Sequence, residues 1–88
     1  MQETAEARLK RLTMRSWRRG TKEMDLVLGR FADARLGSMS GRTLDLYDRL
    51  LAENDQDLIR WVTGQTTAPA EFAALIGDIA GFARAGLA

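Results

Sequence analysis

The sequence predicts an all-α fold, a compact five-helix bundle in a single domain. In every segment between glycine, proline and asparagine positions, apolar residues recur three and four positions apart, as on one face of a helix. No segment alternates apolar and polar residues as a half-buried strand would. The length of 88 residues suits one domain, so we assign residues 1–88 to it.

The first two helices are predicted on either side of Gly20. The first helix spans about residues 4–18 and has Thr4 as its N-cap. Its apolar stripe is narrow: Ala5, Leu9, Leu12 and Ser16. The second helix spans about residues 21–36, and we expect Gly37 to end it. Its stripe is stronger: Met24, Val27, Leu28 and Phe31.

The third and fourth helices follow with short connections. Ser40 is predicted to cap the third helix, residues 41–53, whose inner face carries Leu44, Tyr47, Leu50 and Leu51. Asn54 or Asp55 caps a short fourth helix that Gly64 ends. This helix carries Leu58, Ile59, Trp61 and Val62. We expect Trp61 at the edge of the core.

The fifth helix has the most regular apolar pattern of the chain: Phe72, Leu75, Ile76, Ile79 and Phe82. Pro69 suits its first turn, because proline at the start of a helix loses no intrahelical hydrogen bond. We expect the residues after Arg84 to be frayed.

The composition excludes several kinds of site. The chain has no histidine and no cysteine, so it cannot form a Ser-His-Asp triad, a His-based zinc site or a disulfide. The acidic residues lack the spacing of a metal-binding loop. We therefore predict no catalytic residue and no metal site. A domain this small also leaves little room for a substrate cavity.

The same sequence bears on location. No run of about 18 apolar residues occurs, so we predict no membrane insertion. The N-terminus lacks the apolar core of a secretory signal. It is rich in arginine, as a mitochondrial presequence would be, but Glu3 and Glu6 argue against one. The sequence thus favours a bacterial cytoplasmic protein.

The charges are unevenly placed along the chain. Residues 1–22 hold seven basic and two acidic residues, a local charge of +5, whereas residues 44–57 have a local charge of −4. Such a dipolar surface would orient a protein partner during encounter, unless these charges are ordinary solvated helix faces. The basic first helix also leaves open a nucleic-acid-binding or regulatory helical module. The sequence pI of 8.3 is low for a nucleic-acid-binding domain.

The stretch RRGTKEMD at residues 18–25 allows two interpretations. In the first, Gly20 is simply a turn, while Arg18, Arg19 and Glu23 complement the dipoles of the adjoining helices. In the second, Gly20 is a bare spot that another backbone can approach closely. Arg19 and Glu23 would then flank that spot with opposite charges, and Trp17 would supply an aromatic anchor.

These residues also resemble a known family. The stretch RSWRRGTKEMDLVLGRFAD is similar to the small assembly factors that promote covalent FAD attachment to the flavoprotein subunit of succinate dehydrogenase, the bacterial SdhE proteins and their mitochondrial counterparts. Their hallmark Arg-Gly-x-x-Glu is present at residues 19–23, and Asp25 continues the pattern. The stretch LYDRLLAENDQDLIRWVTG is similar to a second block of the family. Gln56 departs from the family, where many members have proline. The similarity covers about residues 8–64.

The resemblance implies a function. Such factors bind the immature flavoprotein subunit and favour the bond between one of its histidines and FAD, which the subunit forms itself. We therefore expect no stably bound FAD, and we expect the flavoprotein subunit of succinate dehydrogenase as partner, with that of fumarate reductase as a second one. The expected state is a monomer. The expected partner-binding residues are Arg19, Gly20 and Glu23, together with Trp17, Arg18 and Asp25. A FAD carrier is less consistent with the sequence, which lacks a glycine-rich phosphate loop.

Overall fold

The computed structural model describes residues 3–87 and forms five α-helices. They are α1 Ala5–Trp17, α2 Lys22–Arg35, α3 Gly41–Leu51, α4 Asp55–Thr63 and α5 Ala73–Leu87. Single 3₁₀ turns follow α2 at Leu36–Ser38 and precede α5 at Ala70–Phe72. Residues 3–87 contain no strand, so the all-α prediction is confirmed. No helix in this range is long and apolar enough to cross a membrane.

The helix starts follow from local capping. The first four helices each begin after a residue whose side-chain oxygen accepts a hydrogen bond from the backbone N–H three positions later. These caps are Thr4, Thr21, Ser40 and Asn54, with donor–acceptor distances of 3.0, 3.3, 3.2 and 2.8 Å. Of the two residues considered for α4, the structure thus selects Asn54. Gly64 ends α4 in the left-handed conformation, with φ 81°.

The second helix ends at Arg35, within one residue of the predicted end, and a 3₁₀ turn that contains the buried Leu36 carries the chain through Gly37. The predicted end of the fifth helix is wrong. The fifth helix continues to Leu87 instead of fraying after Arg84. Phe82 holds this part of α5: its ring packs edge-on against Phe31 and lies under the guanidinium of Arg35.

All five α-helices contribute to the core, and most of its buried apolar side chains are on α2, α3 and α5. Phe31 is at its centre, with ring centroids 6.0 Å from Tyr47 and 5.9 Å from Phe82. Trp61 is half-buried at the core edge, 6.1 Å from Phe72, as predicted. Among the described residues of α1, only Leu12 and Ser16 are buried. The buried Ser16 hydroxyl shares a 2.6 Å hydrogen bond with Tyr47, which ties α1 to α3.

The basic side of α1 faces the acidic side of α3. Arg8 pairs with Asp45 at 2.5 Å, and Asp48 receives both Arg15 at 2.6 Å and Arg11 at 3.1 Å. The Arg11 hydrogen bond is the main reason why the pKa of Asp48 lies below its usual range. The basic and acidic segments therefore meet at the partly exposed face between α1 and α3, where these charges pair with each other instead of lying at separate ends.

Candidate functional site

The α1–α2 junction, residues 18–21, places Gly20 at the surface with nothing above it. Gly20 is exposed and has φ 99°, a conformation that L side chains rarely adopt. A Cβ built at this position would find no heavy atom within 4 Å. The backbone here is thus uncovered by the rest of the described chain, and another backbone can reach it. We call this spot the Gly20 notch.

Arg19 holds the junction to the loop between α3 and α4. Its Nε donates to Asp55 at 2.9 Å, while Nη1 and Nη2 donate to the carbonyl oxygens of Leu51 at 2.6 Å and Glu53 at 2.8 Å. The side chain is only 11% exposed. All three of its nitrogens have acceptors within the chain, so the side chain holds the junction from inside the domain. The role of Arg19 in binding a partner stays a prediction.

Asp25 fixes the backbone beside the notch. Its Oδ1 accepts the backbone N–H of Arg19 at 2.5 Å. Asp25 lies in the first turn of α2, where a carboxylate is also favoured by the helix dipole. The residue before Gly20 is thus held through its backbone by α2 and through its side chain by the α3–α4 loop.

Glu23 is exposed on the first turn of α2. It forms no ion pair with the part of the chain that the structure describes. It lines a shallow cleft between the starts of α2 and α4, whose other lining residues include Lys22, Gln56 and Ile59. Its carboxylate is therefore available for a cation or a backbone N–H of a partner.

Trp17 packs within the domain. Its indole Nε1 donates to Asp33 at 3.2 Å, and its ring lies against Gly29 of α2. A Cβ on Gly29 would come within 2.2 Å of the ring. Arg18, the next residue, is exposed at the C-cap of α1. Trp17 thus fixes the angle at which α1 meets α2, and part of its surface stays accessible.

The six predicted residues divide into two groups. Arg18, Gly20 and Glu23 are at the surface, whereas Trp17, Arg19 and Asp25 are engaged in internal contacts. Sequence reasoning missed Asp55 and Gly29, the partners of Arg19 and Trp17. A glycine inside a predicted helix was the available clue to Gly29, since it costs about 1 kcal/mol there relative to alanine.

Residues 3–87 contain no group of three or more acidic side chains arranged to hold a metal ion. The arrangement offers a bare backbone at Gly20, two exposed cations, Arg18 and Lys22, and the exposed carboxylate of Glu23 at one helix junction. Such a surface is suited to contact with another protein.

Comparison with known proteins identifies a family. The family model described as "Flavinator of succinate dehydrogenase" matches residues 10–83. This confirms the resemblance seen in the sequence and extends it past residue 64 into α5.

Individual relatives agree with the family match. "Succinate dehydrogenase assembly factor 2, mitochondrial" of Meyerozyma guilliermondii is 48% identical over 61 residues, which are 69% of this chain and 45% of that protein. The protein of the same name in Schizosaccharomyces pombe is 40% identical over 67 residues, 76% of this chain and 48% of that protein. The protein of the same name in Mycosarcoma maydis is 39% identical over 71 residues, which are 81% of this chain and 30% of that protein. The chain spans less than half the length of these curated relatives.

These relatives correct the expected location. The prediction of a bacterial cytoplasmic protein is wrong by this comparison, because the matched relatives are eukaryotic and are named as mitochondrial. The prediction relied on Glu3 and Glu6, outside the matched residues 10–83. The residues that form a helical core are selected for packing, so the core sequence does not indicate the cellular compartment.

Proposed function

This chain belongs to the protein family described as flavinator of succinate dehydrogenase, and from that premise we propose that it binds the flavoprotein subunit of succinate dehydrogenase and promotes covalent FAD attachment to that subunit. The matched relatives are named as succinate dehydrogenase assembly factors. The single observation that carries the proposal is the Gly20 notch, one exposed glycine with open space around it at the α1–α2 junction.

The chain acts without being the catalyst in this proposal. An assembly-factor family implies a non-catalytic role, and the chain has no histidine or cysteine to serve as nucleophile or proton shuttle. Its contribution is to order the client. Holding a nucleophile and the flavin in reactive geometry can lower a barrier by several kcal/mol, with about 7–11 kcal/mol as the upper range.

The internal contacts of the site suggest a division of labour. Gly20 meets the client backbone, while Arg18 and Glu23 pair with groups around it. Arg19 and Asp25 position the notch, because they hold its backbone from two sides. Trp17 sets the approach of α1 to α2 and contributes its accessible edge. The residues expected to bind the partner thus act together, but only part of them by direct contact.

FAD is a substrate of the client reaction and not a resident group of this chain. A dinucleotide usually binds where a glycine-rich loop joins a strand to a helix. Residues 3–87 contain no strand, and their clefts are open depressions between helices. We therefore place FAD in the client. The flavoprotein of fumarate reductase is a second client in this proposal, and the chain acts as a monomer.

The nucleic-acid alternative loses part of its support in the structure. Four of the six basic residues between positions 8 and 19 are paired with carboxylates of the same chain: Arg8, Arg11, Arg15 and Arg19. Lys10 and Arg18 are exposed and form no ion pair within residues 3–87. Freeing the four paired arginines would expose the acidic residues that they neutralise. A DNA mobility shift at low salt, absent for this chain and present for a basic control domain, is the expected result.

The experiment that tests the proposal combines purification with flavin detection. The chain is expected to co-purify with the flavoprotein subunit and to increase its in-gel flavin fluorescence. Gly20→Arg should abolish both effects by filling the notch. Gly77→Arg is the matched control, because Gly77 is exposed on α5 and also has open space around its Cβ position.

Gly20→Arg could act by straining the backbone at positive φ or by blocking the notch, and a second variant separates these two effects. Gly20→Asn introduces a smaller side chain that tolerates positive φ better than most, and circular dichroism reports whether each variant folds. Full flavin attachment by a folded Gly20→Arg variant would contradict the assigned site.

A further inference from the structure

A second surface lies next to the cleft between the starts of α2 and α4, with which it shares Glu23. It is a groove between α2, α4 and α5, lined by Leu26, Val27, Ile59, Phe82 and Ala83. All five lining residues are half-buried. Val27, Ile59 and Phe82 pack against the core with one side and line the groove with the other. We call this surface the α2–α5 groove.

The groove is continuous with the cleft beside the notch. Glu23 and Ile59 line both depressions, so the two share a wall. A protein that covers the cleft between the starts of α2 and α4 can therefore also reach the groove, because no other helix lies between the two. The sequence pattern did not separate the groove from the core, because Val27 and Ile59 have the spacing of inward-facing residues.

The groove has opposite charges at its two ends. Glu23, Leu26, Val27 and Arg30 lie at helical spacing on one face of α2, and Glu23 and Arg30 are exposed. Seven residues of helix separate the two charges by about 10 Å. Neither charge forms an ion pair within residues 3–87. The apolar floor is thus bounded by an acid and a base that a ligand can pair with.

We propose that the α2–α5 groove binds a segment of the client flavoprotein whose apolar side chains are flanked by a basic residue, facing Glu23, and an acidic residue, facing Arg30. This inference rests on the proposed function and adds a second contact to it. The notch admits a close backbone approach and supplies little apolar area, whereas the groove supplies that area. Apolar anchors in such pockets carry most of the affinity of protein interfaces.

The test measures binding of the purified flavoprotein subunit of succinate dehydrogenase to the full chain by calorimetry. Leu26→Glu should raise the Kd about tenfold or more, because it places a charge on the apolar floor. Met14→Glu is the matched control, since Met14 is 43% exposed on α1 and lines neither depression. Its Kd should stay within about twofold of the parent value.

Arg30→Glu tests the charge at the end of the groove, and its effect on the Kd does not depend on core packing. It should weaken binding several-fold at low salt, and the difference should shrink as salt screens the charges. Because Arg30 is exposed, this variant is expected to fold like the parent chain.

The outcomes separate the two proposals. If the parent chain binds, Gly20→Arg does not, and folded Leu26→Glu and Arg30→Glu bind like the parent, the groove proposal is overturned and the notch proposal stands. If the parent chain does not bind the flavoprotein subunit, both are overturned. If sedimentation shows a dimer that Leu26→Glu dissociates, the groove accepts a second copy of this chain instead, which also overturns the proposal.

Discussion

The guanidinium of Arg19 and the carboxylate of Asp55 lie 2.9 Å apart and join the α1–α2 junction to the first turn of α4. Their side chains are 11% and 22% exposed, so the pair is largely shielded from water. The residues are 36 positions apart in the chain. The position of the Gly20 notch is therefore set by a contact with a distant helix as well as by the local turn.

Breaking this pair should destabilise the fold and disturb the notch. We expect Asp55→Asn to lower the free energy of unfolding by about 1–3 kcal/mol, because it leaves a largely buried guanidinium without its counter-ion. Chemical denaturation measures this change. Flavin attachment should fall further than stability explains if Arg19 positions the notch. Asp57→Asn, in the same turn of α4, is the control, and equal losses in both variants would contradict a specific role of the pair.

Gly29 should not tolerate even alanine. A Cβ at this position would lie 2.2–2.6 Å from three atoms of the Trp17 ring, so the ring or the helix must move. We expect a loss of about 1–3 kcal/mol in the free energy of unfolding and a shift of the Trp17 fluorescence.

Gly77→Ala is the matched control for Gly29→Ala. Gly77 also lies inside a helix, but nothing stands within 4 Å of its Cβ position. Alanine there should stabilise the chain by about 0.5–1 kcal/mol through helix propensity. The melting temperatures of the two variants should therefore shift in opposite directions. If both rise, the Trp17 ring moves away from the new Cβ at little cost, and the prediction is wrong.

Tyr47 should give the chain a stability loss at high pH. Burial raises the pKa of Tyr47 to about 12, above its ordinary value of about 10. A raised folded-state pKa means that the contribution is fully present below about pH 10 and is lost as pH rises toward about 12. The loss should total roughly 2–3 kcal/mol.

Tyr47→Phe isolates this effect. The variant should lose about 1 kcal/mol at neutral pH, because Ser16 loses the shared hydrogen bond. Between about pH 10 and 12 it should show less decline than the parent chain in denaturant titrations. Parallel declines in both proteins would mean that Tyr47 is not the titrating group.

Asp48 should contribute to acid sensitivity. Its pKa is lowered first by the Arg11 hydrogen bond and then by the Arg15 one, so its contribution is present above its ordinary pKa and is lost as pH falls through the lowered value. The side chain is 34% exposed, and solvent screening limits the contribution to about 0.5–1 kcal/mol. Asp48→Asn should lower the melting temperature at pH 7, and the gap to the parent should narrow toward pH 3. A constant gap would contradict the assignment.

Local sequence determined much of the architecture. Helical spacing of apolar residues and capping residues such as Thr4 and Ser40 predicted the number of helices and their approximate starts, while the structure chose Asn54 over Asp55 as the cap of α4. The Arg-Gly-x-x-Glu stretch and its continuation identified the family. These features were readable because a cap, a turn glycine and an amphipathic face depend on residues within a few positions of each other.

Only the tertiary structure decided how the site is held and what surrounds it. It engaged Arg19 with Asp55, set Trp17 against Gly29, and opened the α2–α5 groove beside Glu23. Likewise, it folded the basic side of α1 onto the acidic side of α3, where the sequence suggested a dipolar surface. These contacts join residues far apart in the chain, and their partners are selected by the packing angles of whole helices. A linear pattern shows which residues carry charge or apolar surface, but the packing of the helices determines which of them meet.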